Sequence, residues 1–204
     1  MKRLILASAS PRRAMLLRQI GIDFEQVVSR IDDEQSDLTD PGDHVLSISR
    51  RKAEDVARRT SEGLVLGADT VVVLDRRIMG KPGDRAAALQ MLRKLSGRDH
   101  HVLTGLSLID SQTWRVLSEY EETQVRMRCL SEEEIEDYVA TGEPLGKAGG
   151  YAVQGLGATL VERIEGCYYN VVGLPIGRLL KLMQQMDFPF RLKACSKETE
   201  NPFR

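Results

Sequence analysis

Several short stretches of this chain gather residue types that handle anions. In LILASASPRR (residues 4–13) an apolar run passes through Ser8 and Ser10 into Pro11, Arg12 and Arg13. Ser10 before Pro11 has the N-cap and N1 pattern, so a helix is expected to start there. A helix N-terminus offers free N–H donors and partial positive charge. The serines add hydroxyls and the arginines add planar forks suited to phosphate oxygens. Together these make an anion cradle; the plainer reading is a capped helix with two solvated arginines. In VLGADTVVV, Asp69 sits among apolar residues. An unpaired carboxylate there is costly, so it needs a cation, a metal or a reaction; capping a turn or pairing with a lysine is the structural alternative.

Cations and acids elsewhere complete the set. Lys81 in GKP and Lys147 in GKAGGY stand beside glycines that let a ligand approach the backbone, although such stretches are often plain loops. Lys52 lies in an Arg/Lys-rich helix, where a solvated face is the default. Asp32-Asp33-Glu34 can bind a divalent cation or simply form an acidic surface loop. Gln154 in YAVQG can read the amide edge of a base, or make a loop hydrogen bond. Glu143 and Glu162 receive no role, and Tyr168 and Tyr169 read as packing residues. An anion among separated cations with carboxylates nearby is what a nucleoside triphosphate and its metal require.

The elements that must hold these residues follow from periodicity and punctuation. Strands are expected over 3–7, 24–29, 64–75, the two long segments around 100–110 and 115–130, and 158–166. Helices are expected over 11–20, with Met15, Leu16 and Ile20 facing inward, and from about Pro41 to Arg59, with Val45, Ile48, Val56 and Ala57 inward. Others are expected over RAAALQMLRKL, over SEEEIEDYVA with a Ser131/Glu134 capping box, and from Pro175. Helices alternating with long neighbouring strands argue for a mixed sheet covered by helices. No domain boundary is visible, so residues 1–186 read as one domain and 187–204 as a flexible tail.

Composition narrows the classes further. The 204 residues are 42% hydrophobic and carry a formal net charge of −1. That balance excludes a bulk nucleic-acid binder. Three separated cysteines fit a reducing cytoplasm better than a disulfide framework. No apolar run approaches a membrane span. A Walker loop is absent because GEPLGKA lacks the spacing and the final hydroxyl. G-x-G-x-x-G, G-x-S-x-G and a cysteine-phosphatase loop are also missing, and His44, His100 and His101 have no metal-site spacing.

The order of the blocks, LILASASPRR, IDDE, RRKA, LGADTVVV, GKP, QMLRKLSG…HHVLTGL and YVATGEPLGKAGGYAVQGLGATLVERIEGCYYNVVGLP, resembles the Maf family of nucleoside triphosphate pyrophosphatases over roughly residues 3–186. The resemblance implies an α/β fold like that of the inosine triphosphate pyrophosphatases: an elongated mixed sheet with helices on both sides and two lobes around a cleft. It implies cleavage between the α and β phosphates, with a divalent metal, usually magnesium, manganese or cobalt being alternatives. Asp69 matches the family's proton acceptor. Ser8, Arg12 and Arg13 match its phosphate-binding stretch, and Lys52 and Lys81 its phosphate-facing lysines. Arg12, Thr70 and Gln154 match the positions that set base preference and point to the dTTP/UTP subgroup. The metal ligands implied are Asp69 and an acid of the Asp32–Glu34 loop, either Asp33 or Glu34, because the usual glutamate aligns with Asp33. A cytoplasmic homodimer is implied. Two other readings stand beside this one: a nucleotide-binding regulator of septum formation without turnover, and a different α/β phosphohydrolase releasing orthophosphate.

Overall fold

The computed structural model describes residues 2–31 and 38–191. Three apolar residues make the first strand, β1 (Leu4–Leu6), and all three are buried. The next elements are α1 (Pro11–Gln19), β2 (Phe24–Gln26), α2 (Pro41–Ala57), β3 (Leu64–Leu74), β4 (Arg77–Met79), α3 (Arg85–Leu95) and β5 (Asp99–Asp110). The chain continues through β6 (Val116–Met127), α4 (Glu132–Ala140), β7 (Val161–Glu165), α5 (Tyr168–Val172) and α6 (Ile176–Gln185). Short 3-10 turns cover Ala148–Gly150 and Gly155–Leu160.

The strands form one seven-stranded sheet in the order β2-β1-β3-β5-β6-β7, with β4 added on β3. β1 runs parallel to β2 and β3; the other pairings are antiparallel. The expected mixed sheet is therefore present, and helices cover both faces. The two-residue strand period sorts the core. Leu4, Leu6, Leu64 and Leu66 pack under α1 and α6, while Ile5, Val65 and Ile109 pack under Ala53, Val56 and Ala57 of α2. Farther along the sheet, Val72, Leu74, Val102 and Val125 build a separate core with Leu92 of α3 and Ile135 of α4. Thr70 falls between the two cores, and this break is the cleft between two lobes.

The break has a register cause. β1 pairs with Leu64–Leu66 of β3, and β4 pairs with Val72–Leu74. Neither strand reaches positions 67 to 71, so the edge of β3 opens there. β4 starts abruptly because Asp75 and Arg76, both at positive φ (51° and 63°), make the two-residue turn that matches sheet twist. On the other face α2 lies unusually close to the sheet. A Cβ at Gly67 would stand 2.1 Å from the Ser49 carbonyl oxygen, and one at Gly105 would stand 2.3 Å from that of Val45. Glycine is required at both positions for backbone to approach backbone.

Some local expectations need correction. α1 turns Arg13, Ala14, Leu16 and Leu17 inward, whereas Met15 is exposed; the arginine is drawn in by acceptors described below. Ser10 occupies the N-cap position without a side-chain cap bond. Tyr168 and Tyr169 are exposed and stack edge to face on each other rather than filling the core. They belong to α5, a five-residue helix that no side-chain cap announces. Lys52 is buried rather than solvated. The segment from 187 does not fray at once: Phe188 and Phe190 pack on the α6 core and Arg115 pairs with Asp187. Residues 192–204 of the expected tail lie outside the described residues.

Candidate active site

The open edge of β3 looks into a cavity of about 500 Å3. Its wall includes Ser8, Arg12, Arg13, Lys52, Asp69, Thr70 and Lys81, which the sequence places up to 73 positions apart. Gln154 is not among the lining residues, although its neighbour Val153 is. Asp33 and Glu34 lie outside the described residues. Lys147 and Tyr151 also line the cavity. Lys147 is the lysine of GKAGGY, and Tyr151, four residues on, carries no local signal in the sequence.

Asp69 is held from the α2 side. Lys52 Nζ donates to its Oδ1 at 2.9 Å, with both side chains more than nine-tenths buried. The close seating of α2 at Gly67 is what brings Lys52 within reach. The other oxygen, Oδ2, lies 4.0 Å from His44 Nε2. Asp69 also lines a second cavity of about 520 Å3, floored by Val71, Ile78 and Met79. The carboxylate therefore stands where two spaces meet.

The SASPRR stretch is wired more tightly than a solvated helix start. Ser8 Oγ accepts from Ser10 N at 3.2 Å and from Arg13 Nη1 at 3.0 Å. With both lone pairs in use, its own proton remains for an anion in the cleft. Arg13 also donates from Nη1 to the Ala68 carbonyl at 2.9 Å, from Nε to that of Gly173 at 2.9 Å, and from Nη2 to Thr70 Oγ1 at 3.0 Å. The Ala68 carbonyl belongs to the stretch of β3 whose β1-side edge is covered by no strand among the described residues, and Arg13 supplies a donor there. The expected phosphate fork is thus largely committed to the protein. Arg12 donates from Nε to the Val172 carbonyl at 3.3 Å. Burial lowers its pKa, partly offset by Glu143 and Tyr138. Burial likewise lowers that of Lys147, helped by repulsion from Arg12. Two crowded, partly desolvated cations favour an anion between them.

Thr70 closes a directional chain. Thr104 donates its single proton to the Asn170 carbonyl at 3.1 Å, so Thr70 must donate to Thr104 across their 2.9 Å contact while accepting from Arg13. Deeper in the cleft, Tyr151 Oη is 2.7 Å from His100 Nε2. Burial lowers the His100 pKa to about 4, so this imidazole is neutral at pH 7.

A divalent ion is tested by what Asp69 offers. Oδ1 is taken by Lys52, and among the described residues no hydrogen bond reaches Oδ2. A hard anionic oxygen at a cavity junction suits a small divalent cation that takes its remaining ligands from water and phosphate. Among the described residues no three His, Cys, Asp or Glu side chains converge to hold a metal unaided.

A mixed α/β protein with a cation-lined cleft around one buried carboxylate is the class these features define. Within that class the chain belongs to the Maf-like protein family, whose pattern it matches over residues 3–186. Relatives named dTTP/UTP pyrophosphatase include that of Acetivibrio thermocellus, 50% identical over 90% of this chain and 95% of its own. That of Caldicellulosiruptor bescii is 46% identical over 92% and 96%, and that of Bacillus cytotoxicus 48% over 92% and 97%. Among solved structures, the Staphylococcus aureus Ham1 protein aligns with a TM-score of 0.45 at 13% identity, over 62% of this chain and 72% of that one.

Proposed function

We propose that the chain hydrolyses dTTP and UTP between the α and β phosphates, giving the monophosphate and pyrophosphate. The carrying observation is the buried Lys52–Asp69 pair at the meeting of the two cavities. A protein that only binds nucleotide needs the cradle but has no need to bury a carboxylate at its centre. The names of its relatives support the reaction and the pyrimidine preference.

Lys52 fixes Asp69 through Oδ1 and leaves the lone pairs of Oδ2, one of which orients water and takes its proton as the new bond to phosphorus forms. The anhydride bond breaks and its electrons leave on pyrophosphate. Ser8 and the α1 N-terminus offer hydrogen-bond donors, and Lys81, Lys147 and Arg12 offer charge that offsets the polyphosphate. Arg13 acts at one remove by fixing Ser8, Thr70 and the uncovered carbonyl of β3. Asp69 would hold a divalent ion, magnesium in this proposal, together with Asp33 or Glu34, and the ion would supply Lewis-acid polarisation of a phosphoryl oxygen. Thr70, on the cavity wall, bears on the base, and Gln154, next to the wall residue Val153, is the second position assigned to it. The reading includes a cytoplasmic homodimer. Free Cys129 and Cys167 support a reducing compartment, and no helix among the described residues is long and apolar enough to cross a membrane.

The test is a product assay with magnesium and dTTP, UTP, CTP, GTP, ATP and 7-methyl-GTP, with pyrophosphate and orthophosphate detected separately. Pyrophosphate from dTTP and UTP, lost by at least about 10³-fold in Asp69→Asn, is the expected result. Orthophosphate as the product, or near-normal turnover in Asp69→Asn, overturns it.

A further inference from the structure

Glu143 is used by none of the steps above, yet it is more heavily hydrogen-bonded than any surface carboxylate requires. Its Oε1 accepts from Tyr138 Oη at 2.9 Å and from Gly157 N at 2.9 Å, and its Oε2 accepts from Leu156 N at 3.1 Å. Tyr138 Oη accepts in turn from Ala152 N at 3.3 Å. The end of α4 and the turn after it therefore grip the segment 152–157 at both ends. The segment is shaped to this grip. A Cβ on Gly155 would stand 2.8 Å from Glu143 Oε2, and one on Gly157 would stand 2.7 Å from Tyr138 Oη. Inside the gripped stretch are Val153, on the cleft wall, and Gln154.

Glu143 also ties this segment to the cations of the cleft. Lys147 Nζ donates to the Glu143 main-chain carbonyl. Glu143 is also the principal opposing charge felt by half-buried Arg12. Burial pushes the Glu143 pKa up, but the donors on Gly157, Tyr138 and Leu156 more than offset it, so the group stays ionised.

We propose that Glu143, acting with Tyr138, is a positioning residue for base discrimination: it fixes residues 152–157 so that Val153, on the cleft wall, and the backbone that carries Gln154 hold one position beside the base. The inference rests on the pyrimidine reading above. Its physical reason is that uracil and cytosine differ only along one edge, where donor and acceptor are exchanged. A primary amide carries both a donor and an acceptor. A backbone held in one place limits the edge that amide can reach, whereas a mobile segment lets it meet either base with whichever group fits.

The test compares Glu143→Gln and Tyr138→Phe with the wild type, using kcat and KM for UTP, dTTP and CTP, with circular dichroism to confirm folding. Gln keeps the shape but turns one acceptor into a donor facing an N–H, and Phe removes only the hydroxyl. The expected result is a UTP-to-CTP ratio of kcat/KM about tenfold lower in Glu143→Gln and lower by less in Tyr138→Phe, with kcat for UTP within about threefold of wild type. A role confined to folding lowers all three nucleotides in parallel, and that result overturns the proposal. So does an unchanged ratio in a folded variant; if Glu143→Gln fails to fold, Tyr138→Phe decides. A wild type that releases pyrophosphate without preferring UTP overturns the pyrimidine reading and this inference together. A wild type that prefers UTP alongside variants that keep the preference overturns this inference alone.

Discussion

Replacing Arg13 by lysine keeps the positive charge and most of the length, so it separates two roles for this residue. Four acceptors, Ser8 Oγ, the Ala68 and Gly173 carbonyls, and Thr70 Oγ1, take donors from three different nitrogens of its guanidinium at 2.9 to 3.0 Å. A lysine ammonium donates from a single point and cannot span them. At least two acceptors then lose their partner in a site where Arg13 is 8% exposed. Each unsatisfied buried acceptor costs about 1 to 3 kcal/mol, and cleft water recovers part of that, so the expected loss is about 3 kcal/mol. For a chain of this size such a loss lowers Tm by about 6 to 12 °C. The assay is thermal unfolding by calorimetry without nucleotide, followed by steady-state kinetics at a temperature where the variant is folded. If Arg13 instead serves mainly as a direct phosphate fork, Arg13→Lys raises KM while Tm stays within about 2 °C of wild type. That outcome refutes the positioning argument.

Three other outcomes are expected. Gly67→Ala drives a methyl into the Ser49 carbonyl, which stands 2.1 Å from the added Cβ; α2 must lift, at a cost of about 3 kcal/mol or more measured by denaturant unfolding, with Lys52 displaced from Asp69. His100 has its pKa lowered from 6.5 to about 4 in the fold. The unfolded chain therefore binds the extra proton first, and stability rises with pH between about 4 and 6.5 by up to about 3 kcal/mol. His100→Gln should flatten that part of the curve when unfolding free energies are measured at pH 5 and pH 7; an identical slope in both proteins contradicts the assignment. Lys147→Met should raise KM for every nucleotide by about tenfold at low salt, as loss of one cation near a polyphosphate would, and the difference should shrink as salt is added.

Much of the scaffold was legible because its signals are local. The Ser131/Glu134 capping box forms with both of its bonds, and the apolar period of Pro41–Ala57 buries Val45, Ile48, Val56 and Ala57 as expected. Caps, turns and periodicity act over a few residues, so a single strand of text contains both partners. The anionic chemistry was legible for a similar reason. Asp69 among valines and Arg12-Arg13 at a helix start are unfavourable arrangements unless something compensates them, and that tension is visible without a fold.

What compensates them was not visible. Arg13 reaches Ala68, Thr70 and Gly173, which are 55, 57 and 160 residues away. Lys52 sits in an Arg50-Arg51-Lys52 run whose local default is a solvated face, and only the glycines of β3 and β5 bring its side of α2 onto the sheet. Met15, expected on the inner face, is exposed, while Arg13 turns inward to donate along an open strand edge. The cleft itself comes from where β1 stops and β4 begins along β3, a matter of register between distant strands. The sequence by itself determined the elements, the family pattern and the chemistry on offer. Tertiary structure alone decided which cations face the carboxylate and which are spent on the fold, because desolvation and hydrogen-bond satisfaction depend on neighbours that the chain brings together only when it folds.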